Sequence, residues 1–162
     1  LPSRQVHLDF HTSALIPGIG ERFDKNQFQE ALKLGHLNQI NIFAKGHHGW
    51  SYYPTEIGEM HPNLSFDLLG AEMEACHEIG VKCPIYFTVG WSAKDAEDHP
   101  EWCIRNSDGE IAAFNLDVNA KLTDRRPFYS WKCLDASVET PYHELIKKQV
   151  EEGCKRYPDL DV

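Results

Sequence analysis

The connections in this chain are unequal in length, and that inequality restricts its fold more than any motif does. Three strand-like runs, at 6–10, 39–44 and 81–89, alternate with three helical ones. Connections leaving the helices are short (35–38, residue 80 alone, 157–159), whereas those leaving the strands are long (11–23, 45–66, 90–140). The alternating order implies parallel strands joined by crossover helices. Surplus chain gathered at the carboxyl ends of such strands marks a (β/α)8 barrel, whose active site is built from those loops. A doubly wound sheet is the competitor, but no Gly-rich phosphate turn follows the first strand. The expectation is an α/β fold in which residues 1–162 form the N-terminal half of a TIM (β/α)8 barrel with long βα loops, Leu160-Asp161-Val162 opening a fourth strand. A whole barrel needs ~250 residues, and half of one leaves two open sheet edges and a bare inner face. The chain is therefore expected to pair, either with the remainder of the barrel in a longer protein or with a second copy as a homo-oligomer.

Local signals place the helices. Asp24 with Gln27 three residues on forms a capping box, Phe28, Ala31 and Leu32 supply an apolar stripe, and Gly35 is placed to stop the helix. Asp67 caps the second helix, with Leu69, Met73 and Cys76 inward and Gly80 at its end. Thr140 before Pro141 starts the third, striped by Leu145, Ile146, Val150 and Cys154. The third strand is apolar throughout, as when both faces are buried. The connection at 90–140 has its own structure: a hairpin around Asp108-Gly109, and many aromatics (Trp91, Trp102, Phe114, Phe128, Tyr129, Trp131).

Composition removes some function classes. A net charge of −9 argues against a nucleic-acid partner, which demands a basic face. No apolar run approaches a membrane span and no signal-peptide pattern opens the chain. The five cysteines contain no C-x-x-C pair, so free thiols and a cytoplasmic location are expected.

The chemistry concentrates in Asn41-Ile-Phe-Ala-Lys-Gly-His47-His48-Gly-Trp50-Ser-Tyr-Tyr-Pro54. Adjacent histidines where a strand ends can reach one pocket, because the loop turns the backbone between them. Trp50, Tyr52, Tyr53, Trp91 and Trp131 also fall on strand-end loops. Flat rings match the C–H face of a sugar, and hydroxyls need donors and acceptors at its edges. The plainer reading is a polar loop with packing aromatics. His7, Asp9 and His11 share one face of the first strand. His7 and His11 stand ~13 Å apart along it, too far to share one metal ion, so a metal-dependent hydrolase is the weaker alternative. His11 stands at the strand's mouth, while His7 and Asp9 read as buried, hydrogen-bonded barrel residues. His36, His61, His77, His99 and His143 are expected at the surface or in caps. No cofactor and no metal are expected.

These residues resemble the α-L-fucosidase-like glycoside hydrolases. The Lys45-Gly-His47-His48-Gly49-Trp50 string looks like the K-H-H-x-G-[FW] stretch after their second barrel strand. Pro54, the segment from Asp67 to Gly80, and Lys82-Cys-Pro-Ile-Tyr86-Phe87 are similar to the next helix and strand, and Phe10-His11 to the strand-one histidine. The chain is most similar to a branch described as a hypothetical glycosyl hydrolase domain, akin to glycoside hydrolase families 151 and 29. The resemblance implies retaining hydrolysis of an α-L-fucoside, with His11, His47 and His48 on sugar hydroxyls and an aromatic wall drawn from Trp50, Tyr86, Trp91 and Trp131. It also implies an aspartate nucleophile at the end of strand four, hence beyond Val162. Asp95, Asp98, Asp117 and Asp135 lie on suitable loops, but their spacing marks none as an acid. A carbohydrate-binding barrel without hydrolysis is the rival from a different class.

Overall fold

A computed structural model describes residues 3–114 and 131–161. Phe128, Tyr129 and Asp117, together with the last residue of the expected fourth strand, lie outside the described residues. The order is β1 (Gln5–His7), α1 (Lys25–Leu34), β2 (Gln39–Lys45), α2 (Leu68–Glu78), β3 (Ile85–Phe87), α3 (Ala93–Asp98), a 3-10 turn (Pro100–Trp102), β4 (Ala113–Phe114), β5 (Trp131–Lys132) and α4 (Pro141–Arg156). The first three strands form one parallel sheet, β1-β2-β3, with Val6 opposite Ile40 and Phe43 opposite Tyr86. The mixed α/β class and the parallel sheet agree with the expected alternation.

Side-chain oxygens start the helices. Asp24 accepts from the Gln27 N–H at 2.8 Å, Asp67 from Gly70 at 2.9 Å, and Thr140 from His143 at 3.1 Å. Ile40, Ile42 and Ala44 point from one face of β2 into a core with Leu32, Leu69, Met73 and Cys76. Phe43 points the other way and stacks on Tyr86 at 4.3 Å. Gln29, buried between α1 and α2, donates to the Ala75 carbonyl and the Glu78 carboxylate, both at 2.9 Å. Its polar end is thereby satisfied, as burial requires.

Four expectations need correction. First, β1 covers 5–7 rather than 6–10, because the chain then leaves the sheet so that Thr12 can bond the Tyr52 hydroxyl through its N–H and Oγ1. His7 and Asp9 are accordingly exposed rather than buried. Second, β3 covers 85–87 rather than 81–89: Pro84 brings no N–H to the ladder, and Thr88 is drawn into side-chain bonds. Third, the buried face of α4 is Tyr142, Ile146, Gln149 and Gly153, not Leu145, Val150 and Cys154; Gln149 rotates inward to meet a buried cation. Fourth, His61 is buried (1% exposed), bonded to the Ser13 carbonyl and to the Asn63 N–H.

The described part of the 90–140 connection is ordered by pairing. The turn at Asn106–Gly109 closes a hairpin through an Arg105–Ile111 bridge, Gly109 adopting φ +81°. Trp91 bridges Cys133, and β4 pairs antiparallel with β5. All five cysteines are free. Among the described residues, no helix is long and apolar enough to cross a membrane.

Candidate functional site

The carboxyl end of β2 turns sharply through Gly46-His47-His48-Gly49. A Cβ on Gly46 would sit 3.1 Å from His11 Nδ1 and 3.2 Å from the Phe10 carbonyl, so glycine lets the His11 ring close on this turn. Gly49 adopts φ +94°, and a Cβ there would meet Ser92 Oγ at 2.6 Å. The start of α3 then clamps the turn: Ala93 N–H donates to the His47 carbonyl at 2.9 Å and Lys94 N–H to that of His48 at 3.2 Å.

His11 and His47 are in direct ring contact, their centroids 3.9 Å apart and their planes within 15°. Trp91 meets His47 edge-on at 5.0 Å, and Tyr86 stands edge-on to both imidazoles, at 5.8 and 6.0 Å. Three separate strand ends thus contribute to one cluster.

Hydrogen bonds define the tautomers. His11 Nδ1 accepts the His47 backbone N–H at 2.9 Å, so its proton sits on Nε2, which meets Asp9 Oδ1 at 3.0 Å. Thr88 donates its hydroxyl to the Trp91 carbonyl at 2.7 Å, so its oxygen accepts from His47 Nδ1–H at 2.8 Å. That arrangement makes Nε2 the acceptor of the His47 ring. His48 is buried, and the charges of His11, His47 and His61 bear on its protonation. Burial, assisted by the neighbouring imidazoles, pushes His47 and His48 down to about 4. Burial also lowers His11, against the pull of Asp9. All three rings are neutral near pH 7; the donor and the acceptor of His11 are both engaged within the protein, by Asp9 and the His47 amide, while the Nε2 of His47 is an acceptor that suits an uncharged hydroxyl.

Trp50 is placed elsewhere. Its ring lies under the Lys94 ammonium at 5.4 Å and against His61 at 6.2 Å. Its indole N–H is buried and, among the described residues, has no hydrogen-bond partner. Trp131 opens β5, opposite Phe114 and two residues before Cys133, which bridges Trp91. His7 and His11 are committed separately, His7 Nδ1 to Asn41 Oδ1 at 2.7 Å and His11 Nδ1 to the His47 amide.

Sequence reasoning missed Lys45. Its side chain is 1% exposed, pairs with Asp95 at 2.6 Å and donates to Gln149 Oε1 at 3.2 Å. A lysine directly after the apolar run Ile42-Phe43-Ala44, two residues before the histidine pair, was the available signal. Asp95 is thereby engaged in holding a cation beneath the turn, and Asp98 pairs with Lys94. Asp135 accepts the Ser137 N–H at 3.0 Å as a loop cap.

Comparison with known proteins decides the family. The description of hypothetical glycosyl hydrolase 6 matches residues 24–161. The chain belongs to that glycosyl hydrolase family. Alpha-L-fucosidase isoenzyme 2 from Paenibacillus thiaminolyticus is 46% identical over 95% of this chain, with a TM-score of 0.80. An alpha-L-fucosidase GH29 from Bacteroides thetaiotaomicron is 18% identical over 86% of the chain, with a TM-score of 0.55, a likeness of fold alone. The chain spans only 22% of the Paenibacillus protein and 26% of the Bacteroides one. No curated protein matches.

Proposed function

We propose that this family member is the sugar-gripping part of an α-L-fucosidase-like retaining glycosidase, residues 1–162 forming the first half of its (β/α)8 barrel. One observation carries the reading: neutral His11 and His47 stack at the mouths of adjacent parallel strands, with Tyr86 and Trp91 beside them. The 46% identity with a fucosidase over nearly the whole chain supports fucose as the sugar. His11, His47 and His48 meet hydroxyls, and Tyr86, Trp91 and Trp131 supply apolar wall. Trp50 acts from behind the turn.

Retaining hydrolysis needs two carboxyl groups ~5–5.5 Å apart. Asp9 bonds the His11 ring and serves to orient it. The resemblance to α-L-fucosidases implies a nucleophile at the end of a fourth strand, beyond Val162, and the exposed edge at β1 is the surface that later strands would cover. A second copy of this chain is the other candidate to cover it. Neither nucleic acid nor a cofactor enters this reading.

The test is calorimetric titration of the full-length protein with fucose. His47→Ala is expected to weaken binding by ~1–3 kcal/mol, the cost of leaving a buried hydroxyl unpaired. Unchanged affinity would remove the histidine pair from the sugar site. The 162-residue chain alone is expected to hydrolyse no aryl fucoside, and turnover by it would place the nucleophile within these residues.

A further inference from the structure

At the opposite end of the sheet, three chemically different donors from three segments converge. His77 lies in the last turn of α2, Cys83 precedes β3, and Asp161 follows α4. His77 Nε2 is 3.0 Å from Asp161 Oδ2 and 3.3 Å from Cys83 Sγ, and the thiol is 3.9 Å from the same carboxylate oxygen. Lys82 is level with Gln39 at the start of β2, so this cluster is ~20 Å along the strands from His47. Nothing in the sugar site uses it.

We propose that His77, Cys83 and Asp161 form a zinc site that fastens the entry to β3 onto the segment after α4. Zinc takes nitrogen, oxygen and thiolate ligands at ~2.0–2.3 Å in a tetrahedron, which sets those ligand atoms ~3.4–3.6 Å from one another. The observed 3.0, 3.3 and 3.9 Å bracket that spacing. A mixed imidazole, thiolate and carboxylate set favours zinc over magnesium or calcium, which want oxygen alone.

The surroundings supply the supports such a site needs. The Cys83 backbone N–H donates to Asp161 Oδ2 at 2.8 Å, which fixes the carboxylate. Lys82 approaches its other oxygen at 3.8 Å and balances its charge. Cys76 lies in the same buried core cluster as Cys83. Cys83 itself is wholly buried, while His77 lies open at the surface, so an ion has an approach from one side. Water takes the fourth position. On binding, the Cys83 S–H proton is released and His77 coordinates as the neutral imidazole through Nε2, its single N–H proton residing on Nδ1, so uptake weakens as pH falls.

The experiment uses the full-length protein, stripped with a chelator and then titrated with zinc or cobalt(II) alone. Stoichiometric zinc that raises the melting temperature is expected, together with a near-ultraviolet thiolate-to-cobalt absorption band. Cys83→Ser should abolish that band. Because this buried change also risks the fold, His77→Ala and Asp161→Asn are the companion variants at more open positions. Each is expected to weaken zinc binding at least ~10–100-fold, the loss that even an outer partner causes. A cobalt complex without the thiolate band, or zinc affinity unchanged in both companion variants, would overturn the site. Fucose affinity gives a separate readout, so the zinc site and the sugar site stand or fall independently.

Discussion

β1 and β2 are neighbours in one parallel sheet, yet their surroundings are opposite. All three residues of β1 are exposed, while five of the seven in β2 are buried. β2 has a strand on each side, helices α1 and α2 over one face and Phe43 with Tyr86 on the other. β1 has one neighbour, and Val6 and Leu8 remain 42% and 36% exposed. The difference teaches which part of the sheet the chain completes by itself. An apolar residue at a sheet edge is a surface awaiting cover.

Substitution can break this comparison. The largest effect is expected for Lys45→Met, which leaves Asp95 largely buried without its cation, at ~3–5 kcal/mol of stability by urea denaturation. Ile42→Ala, opening a cavity under the helices, is expected to cost ~2–5 kcal/mol by the same measurement. In the isolated chain, Val6→Ala should stay within ~0.5 kcal/mol. If its cost in the full-length protein approaches that of Ile42→Ala, later strands cover β1. An unchanged small cost there would leave β1 a true edge and count against the barrel.

Acid provides a further probe, directed at the turn after β2. Folding holds His47 and His48 at about 4, below the ~6.5 of an unfolded histidine. Between those values the unfolded chain takes up protons that the folded chain refuses, so stability falls as pH drops from about 6.5 towards 4. Urea midpoints measured across that window should decline with acid, less steeply in His47→Gln. A midpoint rising with acid would contradict the burial of these rings.

Much of this architecture was legible because its signals are local. Asp24, Asp67 and Thr140 each announce a helix start within three residues, and β2 was placed to within one residue of its observed end. The six-residue α3 went unseen, although Ser92 and Asp95 carry the capping spacing that marks it. The inward face of α4 was unreadable for a different reason. Gln149 looks like a surface residue until Lys45, over a hundred positions earlier, is known to lie beneath it. Similarly, His11 and His47 could be placed at strand mouths from the pattern, whereas their stacking depends on the departure of the chain from β1 after His7.

The contact between Lys45, Asp95 and Gln149 ties the fate of the turn after β2 to a remote helix. Fraying α4 as far as Gln149 would take away one of the two oxygens that hold this ammonium, and melting α3 would take away the other. Neither opening can proceed far without exposing an ion to an apolar interior. Amide exchange in the turn at 46–49 should therefore keep pace with exchange in α4, the two segments breathing together despite the hundred residues that separate them.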